Sequence, residues 1–261
     1  MNIKIIVASH KKYKMPDNDL YLPIQVGAYG KESIGFQRDD EGENISYKNS
    51  NYCELTGLYW AWKNLNADYI GLCHYRRYFT IAKLIPNNKD DKFKYLLTEK
   101  QIEEKLQGVD MILPCKRRYF IENLYSHYKH TMYIEPLDIT EKIIEEKYPT
   151  YLKEFNKLKK RTSAHIFNMF IMKKEYLNQY CNWLFDILFE LEKRVDSNQY
   201  DSFHARYLGR ISELLLDVWI NTNKLKYEEV KVLNIEPINW FRKGSSFLKA
   251  KFMGKKYEKS F

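Results

Sequence analysis

The chain has 261 residues, 44% apolar and 16% aromatic, which is long enough for one large α/β domain with a sizeable core, with or without a small appendage. Its 43 Lys and Arg against 34 Asp and Glu leave a net charge of +9, so the expected partners are anionic: nucleotides, nucleic acid or a lipid surface. Four scattered cysteines without CxxC spacing argue against a zinc ribbon or a disulfide frame and read as reduced core residues of a cytoplasmic protein.

The opening "MNIKIIVASHKKYK" has an apolar run of only five residues, too short for a secretory h-region, and no stretch approaches the roughly 18 apolar residues of a membrane span. The expectation is a protein in the cytosol, or one lying on a membrane without crossing it. Ile3 to Ala8 form a first strand that delivers "SHKKYK" at its carboxyl end, where open α/β sheets bind ligands. An extended "YLPIQVGAYG" follows, then a polar loop to Ser50. Asn51 opens a helix carrying Leu55, Leu58, Tyr59 and Trp62 at helical spacing, with Glu54 placed as an N3 capping group for the Asn51 amide in preference to a ligand role. A strand over "ADYIGLCHYRRYF" leads to a Thr98-capped helix closed by Gly108, the buried strand "VDMILPC" and a basic, aromatic loop. A helix from Asp138 to Lys160 breaks or restarts at Pro149. The strand "IFNMFIMKK" precedes a long amphipathic helix, then a helix over roughly Ser202 to Asn223, a β-like "YEEVKVLNIEPI" and a basic tail. Strands alternating with helices argue for an α/β sheet in one domain, residues 1–239, with an extension, 240–261.

The segment 67–79 changes character halfway: Tyr69, Ile70, Leu72 and Cys73 suit a sheet interior, and then His74, Arg76 and Arg77 arrive. Unpaired internal charges cost several kcal/mol or more, so these groups serve an anion or a structural network with acids such as Asp68 or Asp110. Strand alternation would put His74 and Arg76 on one face and Arg77 on the other. The layout resembles the strand of GT-A nucleotide-sugar transferases whose DxD carboxylates hold a metal on the UDP pyrophosphate. Here cations stand in place of that pair, able to neutralise a diphosphate leaving group through charge-assisted hydrogen bonds.

"NYCELTGLYWAWKNL", "ADYIGLCHYRRYF", "FNMFIMKKEYLNQYCNWLFDILFELEKR" and "IKIIVASHKKYKMP" together resemble the bacterial capsular and exopolysaccharide synthesis family catalogued as domain of unknown function 4422. The resemblance spans about Ile3 to Ile235. It implies a GT-A-like, Rossmann-like open mixed sheet flanked by helices. It also implies a glycosyltransferase moving galactose or galactofuranose from a UDP-sugar to a lipid-linked or oligosaccharide acceptor, with inversion. His10 and Lys11 after the first strand, with His74, Arg76 and Arg77, form the expected donor site, although solvated lysines are common. Without a DxD motif, a role for Mn or Mg is left open, and no metal ligand is assigned.

An inverting transferase needs a carboxylate base. Glu213 is the first candidate and Asp201 the second; Arg206, Arg210, Glu213 and Asp217 share one helical face, which a solvated salt-bridge face explains equally well. Asn168, His127 and His130 are candidates for the acceptor side, although Asn168 serves equally as a cap at the strand entry. His165 and His204 read as ordinary surface or core histidines. The tail from Phe241 to Phe261 holds seven Lys or Arg against one acid, interspersed with aromatics. It suits the anionic inner face of a membrane, or alternatively a solubilising end or a packed helix. Two other classes compete: a nucleic-acid-binding module, disfavoured because the basic residues are dispersed among acids and no nucleic-acid motif appears, and a non-catalytic subunit of a polysaccharide assembly.

Overall fold

A computed structural model describes residues 1–85 and 90–237. The tail at 240–261 and its membrane role therefore lie outside the described residues. Strand β1 (Ile3–Ser9) is the pivot of the sheet. It pairs in parallel with β2 (Tyr21–Gln25) on one side and with β4 (Tyr69–His74) on the other. A two-residue β3 (Gln37–Arg38) extends the edge beyond β2.

Beyond β4 the sheet turns mixed. β5 (Arg77–Thr80), β6 (Met111–Pro114), β9 (Phe170–Lys173) and β10 (Tyr227–Asn234) complete eight strands among the described residues. The pairings run β4 to β5, β5 to β10, β10 to β6, β6 to β9, and β9 back to β4, so five strands close a ring of hydrogen bonds. Such closure leaves the central strands without open edges. A separate pair joins β7 (Arg117–Arg118) to β8 (Ser163–Ala164).

Period-two alternation in β1 sorts its side chains between two cores. Ile6 and Ala8 face the larger one, built with α2 (Leu55–Asn64), α5 (Glu135–Lys147), α6 (Pro149–Lys160), α7 (Lys174–Arg194) and α8 (Tyr207–Asn223). Ile3, Ile5 and Val7 face the smaller one, with Tyr21, Leu97 and Ile102 of α3 (Glu99–Lys105). Thr98 and Gln101 form the capping box that starts α3. The break at Pro149 is present, with the proline at the first position of α6, where its missing N–H costs nothing.

Three expectations are corrected. The helix read from Asn51 is two pieces, α1 (Asn49–Tyr52) and α2, because Cys53 adopts φ 54° and ψ −129° between them. Asn49 Nδ2 holds the break by donating to the Cys53 carbonyl (2.7 Å) and to Thr56 Oγ1 (3.0 Å). The Glu54 side chain therefore makes no capping bond to Asn51. The strand read over 67–79 is a hairpin, with β4 and β5 meeting at the His74–Arg77 pair and Tyr75–Arg76 forming the turn, so face alternation does not carry across it. The cysteines are not uniformly buried: Cys73 and Cys181 are, whereas Cys53 is half-exposed and Cys115 exposed. Among the described residues, no helix is long and apolar enough to cross a membrane.

Candidate functional site

Parallel pairing of β1 and β4 sets Ala8 beside His74, so the two strands end level and their following residues share one rim. A cavity of about 500 Å3 opens there. Five guanidiniums line it, from Arg76, Arg77, Arg117, Arg206 and Arg210, against two carboxylates, Glu54 and Glu213. His10, His74, His127 and the rings of Tyr119, Tyr128, Phe167 and Phe203 complete much of the wall.

The arginines come from three places in the chain: the β4–β5 turn, β7 with its loop, and the start of α8. Arg77 lies 4.4 Å over the Phe167 ring, and Arg117 lies 5.0 Å over Tyr119. Aromatic faces stabilise the charges without neutralising them. Arg76 meets Glu236 at 3.4 Å, Arg206 Nε donates to Cys53 Sγ at 3.0 Å, and Arg210 meets Glu213 at 3.3 Å. Asp68 and Asp110, the acids considered as structural partners, are engaged elsewhere, by the Asn2 amide and by Tyr176 and Lys226 respectively. Burial pushes the Arg77 pKa down from its ordinary value, and Arg76 and Arg210 lower it further, against the pull of Glu213. A guanidinium remains charged under such a load.

The imidazoles are not part of this positive charge. His74 Nε2 donates to the Phe167 carbonyl at 2.5 Å, and burial drives its pKa down despite Glu54. His127 donates from Nδ1 to Glu122 Oε1 at 2.6 Å, and burial outweighs that carboxylate, bringing its pKa to about 4. Desolvation on the cavity side and then Lys11, Arg76 and Arg206 lower His10, although the residue as a whole is exposed. His74 holds the wall in place through the Phe167 carbonyl, and its burial disfavours the charged form.

Phe167 and Asn168, just before β9, both adopt positive φ, 79° and 53°. Consecutive left-handed residues other than glycine are uncommon and persist only where surroundings enforce them. The enforcement is visible. The Phe167 carbonyl takes the His74 bond, and Asn168 Nδ2 donates to Glu54 Oε1 (2.7 Å) and to the Gly209 carbonyl (3.1 Å). Ser212 Oγ donates to Asn168 Oδ1 at 2.9 Å. One dipeptide thus ties the end of β4, the head of α2 and the first turn of α8 around the cavity. Gly209 lets α8 approach the kink at Cys53, since a Cβ there would sit 3.3 Å from Cys53 Sγ.

Of the residues expected at the site, Glu213, His10, His74, Arg76, Arg77 and His127 line the cavity. Four do not. The Asp201 side chain is 61% exposed and caps the turn at His204–Arg206, accepting from the Phe203 and His204 amides. Lys11 lies over the Tyr13 and Tyr75 rings. His130 binds the second oxygen of buried Glu122, behind His127. The buried Asn168 amide is consumed by the bonds above. The α8 face also differs from a solvated one, because Asp217 is buried against His165, whose other nitrogen meets Glu229 at 3.0 Å. Arg117, Tyr119, Tyr128, Arg206 and Arg210 are not among the residues expected at the site, and Glu54 follows the lesser of its two readings, a ligand role. A signal for Arg117 existed, since the tetrapeptide Arg-Arg-Tyr-Phe occurs at 76–79 and again at 117–120. Among the described residues no group of three or more His, Cys, Asp or Glu is arranged to hold a metal ion.

The family model described as domain of unknown function DUF4422 matches residues 4–224. The chain belongs to that family. Its fold is similar to the apo structure of the bifunctional glycosyltransferase WbbM, with a TM-score of 0.83 and 30% identity. The match covers 91% of this chain and 46% of that one, so the chain spans less than half the length of that protein. No curated protein sequence matches the chain.

Proposed function

We propose that the chain is a glycosyltransferase of bacterial surface polysaccharide synthesis, moving a hexosyl group from a UDP-sugar to a lipid-linked or oligosaccharide acceptor. The observation that carries this reading is the convergence of five guanidiniums and two carboxylates on one cavity at the carboxyl ends of β1 and β4. The likeness to a glycosyltransferase over 91% of the chain supports it.

In this reading Arg76, Arg77, Arg117, Arg206 and Arg210 receive the diphosphate. Negative charge on that group grows as the glycosidic bond to the donor sugar breaks, so cations fixed around it bind the transition state more tightly than the ground state. Fixed guanidiniums supply much of the countercharge, and a divalent ion is then an addition rather than a requirement. Glu213 takes the proton from the acceptor hydroxyl as it attacks, with inversion. Glu54, held by Asn168, is the second carboxylate facing the transferred sugar. Galactose and galactofuranose are the proposed sugars.

A thermal-shift screen with UDP, GDP, CMP and dTDP, each with and without manganese, tests the nucleotide. Selective stabilisation by UDP without metal is expected. Equal indifference to all four would remove the donor-site reading.

A further inference from the structure

The second Arg-Arg-Tyr-Phe stretch builds one wall of the cavity and, on its other side, an exposed tip. Arg117 and Tyr119 line the cavity, whereas the alternate residues Arg118 and Phe120 are exposed, as is Ile121. Phe120 is 87% and Ile121 51% exposed, which places two large apolar side chains side by side in water.

This tip is fastened to the end of α6. Arg118 is registered against Ser163, the Tyr119 amide donates to the Thr162 carbonyl at 2.7 Å, and the Leu124 amide donates to the Arg161 carbonyl at 2.8 Å. The last turn of α6 is basic, with Lys157, Lys159 and Lys160. Neither 115–121 nor 157–163 contains an acid. Of the acids near them, Glu122 is buried and bound by two histidines, Glu154 pairs with Lys157 and Arg161, and Glu141 pairs with Lys159. The outcome is an apolar point flanked by exposed Arg118 and Lys160, on the lip of the cavity.

We propose that this lip docks on an anionic lipid bilayer, with Phe120 and Ile121 entering the interface and Arg118 and Lys160 meeting the headgroup charges. Large apolar side chains beside clustered cations are the chemistry that such a surface selects. The exposed cations flanking the tip, Arg118 and Lys160, match the diffuse negative charge of headgroups, whereas Lys157, Lys159 and Arg161 are paired with Glu154 and Glu141. Because Arg117 and Tyr119 alternate with the docking residues, seating the tip sets the cavity mouth at the headgroup plane. This inference concerns a surface distinct from the cavity and stands whether or not UDP is the donor.

The test uses the full-length chain with vesicles of phosphatidylcholine, with and without phosphatidylglycerol. Sedimentation with the anionic vesicles, weakening as salt rises, is expected. A Phe120→Asp, Ile121→Asp double variant should lose about ten-fold or more in partitioning, as expected when apolar insertion is removed. A Phe120→Trp variant reads the tip directly: its emission minus that of the wild type, which cancels the native tryptophans, should shift to the blue and be quenched by brominated lipid. Three results overturn the proposal. One is no sedimentation of the wild type. Another is sedimentation with an unaltered double variant and a silent difference spectrum, which assigns binding to another surface such as residues 240–261. The third is concentration-dependent dimerisation abolished by the double variant without vesicle binding, which makes a second copy the occupant.

Discussion

Asn168 donates its side-chain amide to Glu54 at 2.7 Å across 114 positions of sequence, and it does so from a backbone with φ 53°. Replacing Asn168 by Ala would take a donor from Glu54, leave the Gly209 carbonyl and Ser212 with the bond between them, and remove a residue type that tolerates the left-handed region. Lost buried hydrogen bonds cost about 1–3 kcal/mol each and the left-handed backbone adds to this, so Asn168→Ala is expected to lose on the order of 3 kcal/mol. Urea unfolding at neutral pH measures it. Glu54→Gln retains an oxygen that accepts the same bond, so it should unfold within about 1 kcal/mol of the wild type.

Stability should fall in mild acid because of His127. Its pKa in the folded chain is about 4 against an ordinary value of 6.5. As pH drops below 6.5 the unfolded chain takes up the proton first, and the native state loses ground until about pH 4, where both states are protonated. The full span corresponds to about 3 kcal/mol. Unfolding curves at pH 7, 5.5 and 4.5 should converge for His127→Gln relative to the wild type; parallel curves would assign the acid sensitivity to other groups.

Binding and turnover should separate between the two halves of the cavity. Arg77→Ala is expected to weaken UDP by about 100-fold, in the range seen when one member of a desolvated charge pair is removed. Glu213→Gln should leave UDP affinity near that of the wild type and lower turnover by roughly 100-fold or more. Calorimetry with UDP and release of UDP from a UDP-sugar read the two effects. A Glu213→Gln variant with full turnover would move the base to Glu54.

Thiol chemistry should report the fold. Cys73 and Cys181 are buried with pKa values driven up by burial, and Cys53, also raised by burial, sits behind Arg206. Cys115 is exposed. Titration with a disulfide reagent should show one fast thiol in the native chain and all four after denaturation.

Periodicity and punctuation made much of the architecture legible. The helical repeat of Leu177, Tyr180, Cys181, Leu184, Ile187, Leu188 and Leu191 is the buried face of α7, and the short apolar runs are β1, β4, β6 and β9. These signals are local, because burying one face of a helix or strand imposes a repeat on the chain itself. Three positive-φ residues around the cavity, Cys53, Phe167 and Asn168, leave no such repeat: bonds to residues far along the chain hold Phe167 and Asn168, and the Asn49 side chain holds Cys53. Glu54 was read as a cap because its spacing from Asn51 fits one, and the kink at Cys53 gives it to the cavity instead.

The two Arg-Arg-Tyr-Phe stretches mark the boundary most sharply. The residues alone determined that each would carry two cations and two large rings. In the first, Tyr78 and Phe79 lie in β5 between β4 and β10 and are fully buried, so the arginines are left at the turn facing the cavity. In the second, the strand is two residues long and, among the described residues, pairs with β8 alone. There Phe120 faces water and Tyr119 faces the cavity. Burial depends on how many neighbouring elements pack against a segment, and only the assembled sheet decides that number.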